Sequence, residues 1–283
     1  LFQAFVSNIL ALLPYSYPEI GQSFIIPQKI DGCWINCKYT VDRHFHLSPK
    51  GLFSPMTAYG LSSDSGPPLL CFMGTTYPAG DGFLAAILSD FTPGLSVGHA
   101  AYLYGRSQIE DWMKSHVGKV RLYGTSLGGA LCFHVLRNHR DKIAGVDVFN
   151  PVGLHPWNWT KPFDSSTPIN IYYQENDLVA TMGYFPTGTG VSMYRVFGPR
   201  EESCWRSHTF AFTGADSVLI TKTSAEYEHS RISRKLLTAL HVVGTFFLGL
   251  IPTIFCGLLH LLHKGINVLF FSKSSTKRIS SSP

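Results

Sequence analysis

The sequence predicts an α/β fold, built on a mostly parallel sheet that helices cover on both faces. Four short apolar runs, each bounded by turn residues, have the length and composition of buried strands. Two longer segments with helical periodicity, 100–113 and 127–137, separate the first three of these runs. Strands that alternate with helices in this way are typical of a parallel sheet. The four predicted strands are 68–73, 119–123, 144–149 and 169–173.

A Gly-Thr-Ser-Leu-Gly motif occupies residues 124–128, directly after the predicted strand 119–123. A serine on a tight turn between a strand and a helix has a strained backbone and a hydroxyl exposed at the carboxyl edge of the sheet. Glycines two residues before and after it leave room for neighbouring backbone, and amides at the start of the helix stabilise negative charge. Ser126 is therefore the predicted nucleophile of an α/β-hydrolase. A glycine-rich turn with an incidental serine is the alternative.

The motif, with its flanking residues, resembles the nucleophile turn of class 3 lipases, the fungal-type triacylglycerol lipases. Three further segments resemble this family in the same order along the chain, and together the matches extend over 69–214, about half of the sequence. The resemblance implies an α/β-hydrolase fold, an ester hydrolase activity and a lid helix over the site. The matching segments are 72–75 with 82–90, 97–102, 124–130 and 149–153.

A serine hydroxyl becomes a good nucleophile only when a base removes its proton, and an acid must orient that base. In this fold class the acid and then the histidine follow the serine along the chain. Asp177 follows the strand 169–173 in a turn that resembles the acid-bearing turn of the family, and a residue that caps its own turn is the alternative. His208 precedes alternating aromatic residues, as in the family, and is the predicted base. His229 is the fallback.

The oxyanion hole of such a site needs two backbone amides beside the reacting carbonyl. Leu127, which follows the nucleophile, is predicted to supply one, and Thr75, after the strand 68–73, the other. Apolar residues recur at helical spacing over 83–91, where a lid would cover the site. A helix that faces the core has the same pattern, and the resemblance favours the lid.

Four segments are predicted along the chain. Residues 1–19 form an apolar segment whose composition favours a helix packed on the domain over a targeting segment. Residues 20–230 form the α/β-hydrolase domain. Residues 231–271 form a membrane-associated helical segment, and 272–283 form a disordered basic tail.

The run 236–262 contains no charged side chain, and a helix needs about 20 apolar residues to cross a bilayer. Basic residues flank it on both sides and leave its orientation open. A buried helix pair is the alternative, but the lack of charge over this length favours contact with a membrane. We therefore expect a membrane-associated protein, in a compartment that the sequence leaves open.

The sequence disfavours two classes of partner. Cys33 and Cys37 have no second pair behind them, which argues against a zinc site, and the net charge of +5 is not gathered into a basic stripe, which argues against nucleic acid. No metal or organic cofactor is implied, because side chains and water suffice for the expected chemistry.

The predicted function is a serine esterase that cleaves the carboxylic ester of a lipid or other apolar substrate through an acyl-enzyme intermediate. Two alternatives stay open. One is a thioesterase or another acyl hydrolase with the same triad, and the other is a catalytically inactive domain anchored to a membrane.

Overall fold

The computed structural model describes residues 2–49, 56–76, 83–92, 94–159, 162–163, 167–174, 177–197, 208 and 219–247. Within these residues nine strands form one sheet, in which they lie in the order in which they occur along the chain. The strands are β1 Ser23–Ile30, β2 Cys33–His46, β3 Thr57–Ser62, β4 Leu69–Phe72, β5 Val120–Thr125, β6 Ile143–Phe149, β7 Ile169–Gln174, β8 Val191–Phe197 and β9 Leu219–Thr223. The helices are α1 Phe2–Leu12, α2 Phe83–Asp90, α3 His99–Ser115, α4 Leu127–Asn138 and α5 Ala225–Ser230, with 3₁₀ turns at Leu13–Ser16, Arg140–Lys142 and Pro156–Asn158 and a further helical stretch over 232–247.

Strands β4 to β8 pair in parallel and form the centre of the sheet. The four predicted strands are β4 to β7, and the two predicted helices are α3 and α4, so these predictions are confirmed. Both edges are antiparallel, and they account for four of the eight pairings between described strands. These edges could not be predicted from the sequence, because strands such as β2 and β9 are exposed along much of their length and lack a continuous apolar run.

Helices cover both faces of the parallel centre, as predicted. Leu70 and Leu122 belong to the core that β4 and β5 share with α3 and α4. Their neighbours Cys71 and Tyr123 belong to the second core, which α1 completes. Successive side chains of a strand point to opposite faces, so α1 and α4 sandwich the same strands. The apolar segment 1–19 thus contains a helix that packs on the sheet.

Among the described residues, no helix is long and apolar enough to cross a bilayer. The predicted membrane run 236–262 is described only as far as residue 247, where it is helical. The remainder of that run, 248–262, and the predicted tail 272–283 lie outside the described residues.

Candidate active site

Ser126 lies on the sharp turn between β5 and α4. Its backbone has φ 54° and ψ −124°, a conformation that residues other than glycine adopt only under strain. Its amide donates a hydrogen bond to the carbonyl oxygen of Phe149 at 3.0 Å, which fixes the turn against the end of β6. The hydroxyl is therefore held at the carboxyl edge of the parallel strands.

The glycines around Ser126 are required by close backbone packing. A Cβ at Gly124 would collide with the backbone of Gly128, and a Cβ at Gly128 would collide with the carbonyl group of Phe72 in β4. The two glycines of the motif therefore lie against each other, and this contact lets β5 turn directly into α4. The crowding explains the glycine spacing from which the turn was predicted.

A chain of two hydrogen bonds joins Ser126, His208 and Asp177. His208 Nδ1 lies 2.8 Å from Asp177 Oδ2, and His208 Nε2 lies 2.8 Å from Ser126 Oγ. A carboxylate only accepts, so Nδ1 donates to Asp177 and Nε2 is left to accept from the serine hydroxyl. This is the tautomer that a general base needs.

The carboxylate of Asp177 has two separate tasks. Oδ2 accepts from His208, while Oδ1 accepts from the backbone amides of Val179 at 2.8 Å and Ala180 at 3.1 Å. Asp177 thus caps its own turn and also contacts the imidazole, so the two interpretations of this residue are both realised. A proline at position 180 could not donate the second of these bonds.

Leu127 and Thr75 are the two residues expected to line the oxyanion hole. Leu127 is the first residue of α4, where backbone amides have no partner within the helix. Thr75 follows β4, and Gly74 before it approaches Ser126 so closely that a Cβ there would lie 3.3 Å from the serine Cβ. Both amides therefore belong to segments that border Ser126.

The fold is that of an α/β-hydrolase. Its five parallel strands carry a serine on a strand-to-helix turn, with the aspartate and the histidine following in that order. No protein-family model and no curated protein matches the chain. Among solved structures, the chain is similar to a triacylglycerol lipase from Penicillium expansum, with 15% identity and a TM-score of 0.43 over 69% of this chain and 77% of the lipase.

Asp90, at the end of α2, contacts the side chain of Thr75. One carboxyl oxygen takes part in a hydrogen bond with the Thr75 side chain, and the other, Oδ1, is buried without a partner among the described residues. This burial raises the pKa of Asp90 to about 8, so the carboxyl group is largely protonated at neutral pH. Asp90 links α2 to one expected wall of the oxyanion hole.

His229, the fallback base, lies in a different environment. Its Nε2 accepts a hydrogen bond from the backbone amide of Phe185 at 3.0 Å, and its ring packs beside Tyr184. Burial lowers the pKa of His229 to about 4. The structure therefore brings His208, and not His229, to Ser126.

Asn150 supports the histidine and was missed by the sequence analysis. Its side-chain amide donates to the carbonyl oxygen of His208 at 3.0 Å, and its Oδ1 accepts from the amide of Gln174 at 2.9 Å. It follows β6 and has a φ of 43°, which asparagine tolerates better than most residues. The only sequence signal was its place at a strand end, inside one of the segments that resemble the lipase family.

Tyr15 was also missed, because it precedes the first predicted strand by more than 50 residues. Its hydroxyl forms a hydrogen bond with the backbone of Gly74, and a Cβ on Gly74 would lie 2.6 Å from that hydroxyl oxygen. Burial raises the pKa of the phenol above its usual range. The chain directly after α1 therefore supports the loop that carries Thr75.

The predicted lid helix is α2. Its residue Ser89 is buried, and the Ser89 hydroxyl accepts a hydrogen bond from the amide of Ala101 in α3 at 3.2 Å. The side chains of residues 83–85 and 88 lie outside the described part of the structure. The helix itself is confirmed, and its role as a lid stays a prediction.

Within the part of the chain that the structure describes, no group of three or more His, Cys, Asp or Glu side chains could hold a metal ion.

Proposed function

We propose that the protein is a serine esterase that cleaves the carboxylic ester of a lipid-like substrate through an acyl-enzyme intermediate. The observation that carries the proposal is the pair of 2.8 Å hydrogen bonds that connects Ser126 to His208 and His208 to Asp177. A neutral imidazole that accepts from the serine hydroxyl can take its proton as the oxygen attacks a carbonyl carbon.

Acylation follows from this arrangement. Ser126 Oγ attacks the ester carbonyl while its proton moves to His208 Nε2, and Asp177 stabilises the imidazolium that forms. The amides of Leu127 and Thr75 donate to the oxyanion of the tetrahedral intermediate, and each such donor contributes about 3 kcal/mol. The intermediate then collapses, and the leaving alcohol takes the proton from His208.

Deacylation repeats these steps with water as the nucleophile. His208 removes a proton from a water molecule that attacks the acyl carbon, and the tetrahedral intermediate expels Ser126, which recovers its proton from the imidazolium. The products are a carboxylic acid and the regenerated enzyme.

Two observations support an apolar ester as the substrate. The helix α2, which follows the Thr75 loop, has a sequence with apolar residues at helical spacing, as expected of a lid that opens on lipid. The motifs around Ser126 and Thr75 resemble those of class 3 lipases. A thioester reacts with the same triad, so thioesters belong in the substrate panel of the test.

The test combines a fluorophosphonate probe with hydrolysis of p-nitrophenyl butyrate, p-nitrophenyl palmitate and a matched thioester. We expect the wild type to react with the probe and Ser126→Ala to lose probe labelling and about 10³-fold or more in kcat. Ser65→Ala, at an exposed serine, is the matched control and should behave as the wild type.

Labelling that persists in Ser126→Ala would contradict the assignment of the nucleophile. A wild type that neither reacts with the probe nor hydrolyses any of the substrates would support the inactive, membrane-anchored alternative. Preference for the thioester over both oxygen esters would support the thioesterase alternative.

A further inference from the structure

Most polar side chains of the helical stretch 232–247 lie on its inner side. Arg234 is fully buried, and its guanidinium donates to the carbonyl oxygens of Gly183 at 2.9 Å and Ala180 at 3.1 Å. Thr238 is also buried, and its hydroxyl accepts from the amide of Gly183 at 2.9 Å. Thr245 continues the same buried side of the helix.

The opposite side of this helix is apolar and exposed. Ile232 is 82% exposed and Phe247 is 72% exposed, and the exposed side chains recur at spacings of three and four residues, which places them on one side of a helix. We call this side the outer face, and it consists of Ile232, Leu236, Leu240, Val243, Phe246 and Phe247.

This distribution is the reverse of that found on a surface helix in water. A helix on a globular protein normally buries its apolar stripe and exposes its charged side chains. Here a buried arginine and two buried threonines face the protein, while leucine, phenylalanine and valine face outwards. Polar groups that face protein and apolar groups that face outwards are what a helix in contact with lipid requires.

The charges around the outer face fit an anionic lipid surface. The stretch 232–247 contains no aspartate or glutamate, and Lys235 is exposed at the margin of the outer face. Arg231, one helical turn before Lys235, is partly exposed and pairs with Glu228 at 3.2 Å. A helix of this kind binds a membrane by inserting its apolar face among the acyl chains and pairing the basic residues at its edge with anionic headgroups. The sequence after residue 247 continues without a charged residue as far as 263.

The inner side of the helix contacts two elements that border the site, the turn that carries Asp177 and the end of α2. Arg234 and Thr238 bond to the backbone of residues 177–183, which we call the acid turn. His241 Nε2 donates to the carbonyl oxygen of Asp90 at 3.2 Å, and Asp90 itself contacts Thr75. The helix therefore ties the acid turn to the end of α2.

We propose that the helix 232–247 is a lipid-docking element, which lies in the plane of an anionic membrane with its outer face among the acyl chains. Its inner side then holds the acid turn and the end of α2 beside that membrane, where an ester extracted from the bilayer enters the site. The docking stands on the helix alone, whereas the delivery of substrate rests on the proposed function.

A fluorophore attached to the outer face tests the docking directly. Val243→Cys is labelled with an environment-sensitive nitrobenzoxadiazole dye in the full chain, with Val117→Cys, at a fully exposed residue outside this helix, as the matched control. Cys33 is exposed, and Cys204 and Cys256 lie outside the described residues, so all three are replaced by serine in both proteins. The vesicles contain phosphatidylcholine with phosphatidylserine, or phosphatidylcholine alone.

We expect emission from position 243 to shift to shorter wavelength with vesicles and to be quenched by brominated acyl chains, more strongly when phosphatidylserine is present. Position 117 should show neither effect. Emission from position 243 that does not change when vesicles are added overturns the proposal. So does a shift without vesicles that grows with protein concentration, because the outer face would then bind a second copy of the chain.

Kinetics then test the link to the site. Leu236→Glu/Leu240→Glu places two carboxylates on the outer face, and Val117→Glu is the matched control, with thermal unfolding as a check on folding. We expect the double variant to lose about tenfold or more in hydrolysis of an ester embedded in vesicles, with unchanged kcat/KM on p-nitrophenyl butyrate. Equal losses of activity on both substrates would show that the helix acts only as a structural support.

The two proposals fail separately. A wild type without any esterase activity contradicts the proposed function. The fluorescence measurement still decides whether the helix enters lipid. A wild type that hydrolyses p-nitrophenyl butyrate while position 243 stays in water ends the docking proposal alone.

Discussion

His208 Nε2 lies 2.8 Å from Ser126 Oγ, although 82 residues separate the two along the chain. The contact depends on Asn150, which bonds to the backbone of His208, and on Asp177, which bonds to its ring. Both supports follow strands of the parallel centre, β6 and β7. The sheet therefore fixes the serine and the two groups that hold its base.

Asp177→Asn should lower kcat on p-nitrophenyl butyrate by about 10³- to 10⁴-fold, because an amide that donates to Nδ1 selects the wrong tautomer of His208. The folded state should persist, since the asparagine Oδ1 can still accept from the amides of Val179 and Ala180. Steady-state kinetics and thermal unfolding measure the two effects. Asp111→Asn, at an exposed residue, is the control, and near-normal turnover by Asp177→Asn would refute the role of the aspartate.

Asn150→Ala should lower kcat about tenfold or more with little change in KM, because the carbonyl oxygen of His208 and the amide of Gln174 both lose a partner. Leaving such groups unpaired should also cost about 1–3 kcal/mol of stability. Asn150→Asp keeps the acceptor for Gln174 but sets a buried carboxylate oxygen against the carbonyl oxygen of His208, so it should recover neither activity nor stability. Asn36→Ala, on the exposed β1–β2 hairpin, should alter neither quantity.

Asp90→Asn should remove a destabilisation that grows as the pH rises from about 4 to about 8. Burial raises the pKa of Asp90 to about 8 in the folded state, while the unfolded carboxyl group ionises near pH 4. Between these values the folded state binds the extra proton, so the free energy of unfolding falls by up to about 1.4 kcal/mol per pH unit.

Chemical unfolding of the wild type and Asp90→Asn at pH 5 and pH 8 measures this effect. Their difference isolates Asp90, since the buried histidines contribute equally to both proteins. We expect the variant to gain stability relative to the wild type at pH 8 and little at pH 5. An equal difference at the two values would show that Asp90 is ionised in the folded protein.

His155→Phe should stabilise the protein, and more so in acid. Both ring nitrogens of His155 are buried without a hydrogen-bond partner among the described residues, and burial lowers the pKa of this side chain to about 4. Below pH 6.5 the unfolded histidine is protonated while the folded one stays neutral, so the native state loses stability as the pH falls towards 4. Phenylalanine removes the unpaired nitrogens and keeps a ring against Trp157.

The expected gain of His155→Phe is about 1 kcal/mol at pH 7 and larger at pH 5, measured by denaturant unfolding. His116→Phe is the contrasting change, because His116 bonds to Asp42 and to the carbonyl oxygen of Trp112. This variant should therefore be less stable than the wild type. A loss of stability in His155→Phe would mean that the imidazole has a partner in the native protein.

Four of the five strands at the centre of the fold could be predicted because their signals are local. Each of β4 to β7 is a short apolar run, and the turn at Ser126 needs glycines at fixed spacing since Gly124 and Gly128 touch. The edge strands β1, β2 and β9 are exposed along much of their length, so their composition resembles that of loops. Only pairing with a neighbour defines them, and pairing leaves no mark in a single sequence.

The residues of the site also differ in whether the sequence alone could predict them. Asp177 and His208 could be proposed from their order after Ser126 and from the resemblance to lipases. Asn150 and Tyr15 act through contacts with residues far away in the chain, His208 and Gly74, which the sequence does not place near them. For the helix 232–247 the sequence predicts only part of an apolar run, because its polar residues are too few to show which side they occupy.

The position of α1 bears on how the protein can be shortened. Removing residues 1–16 would strip a hydrophobic cover from β4, β5 and β6 and delete the phenol that touches Gly74. Trimming that reaches α1, by a protease or by the design of an expression vector, would thus damage the wall beside Ser126 as well as the stability of the sheet. Affinity tags are better placed where they leave that helix intact.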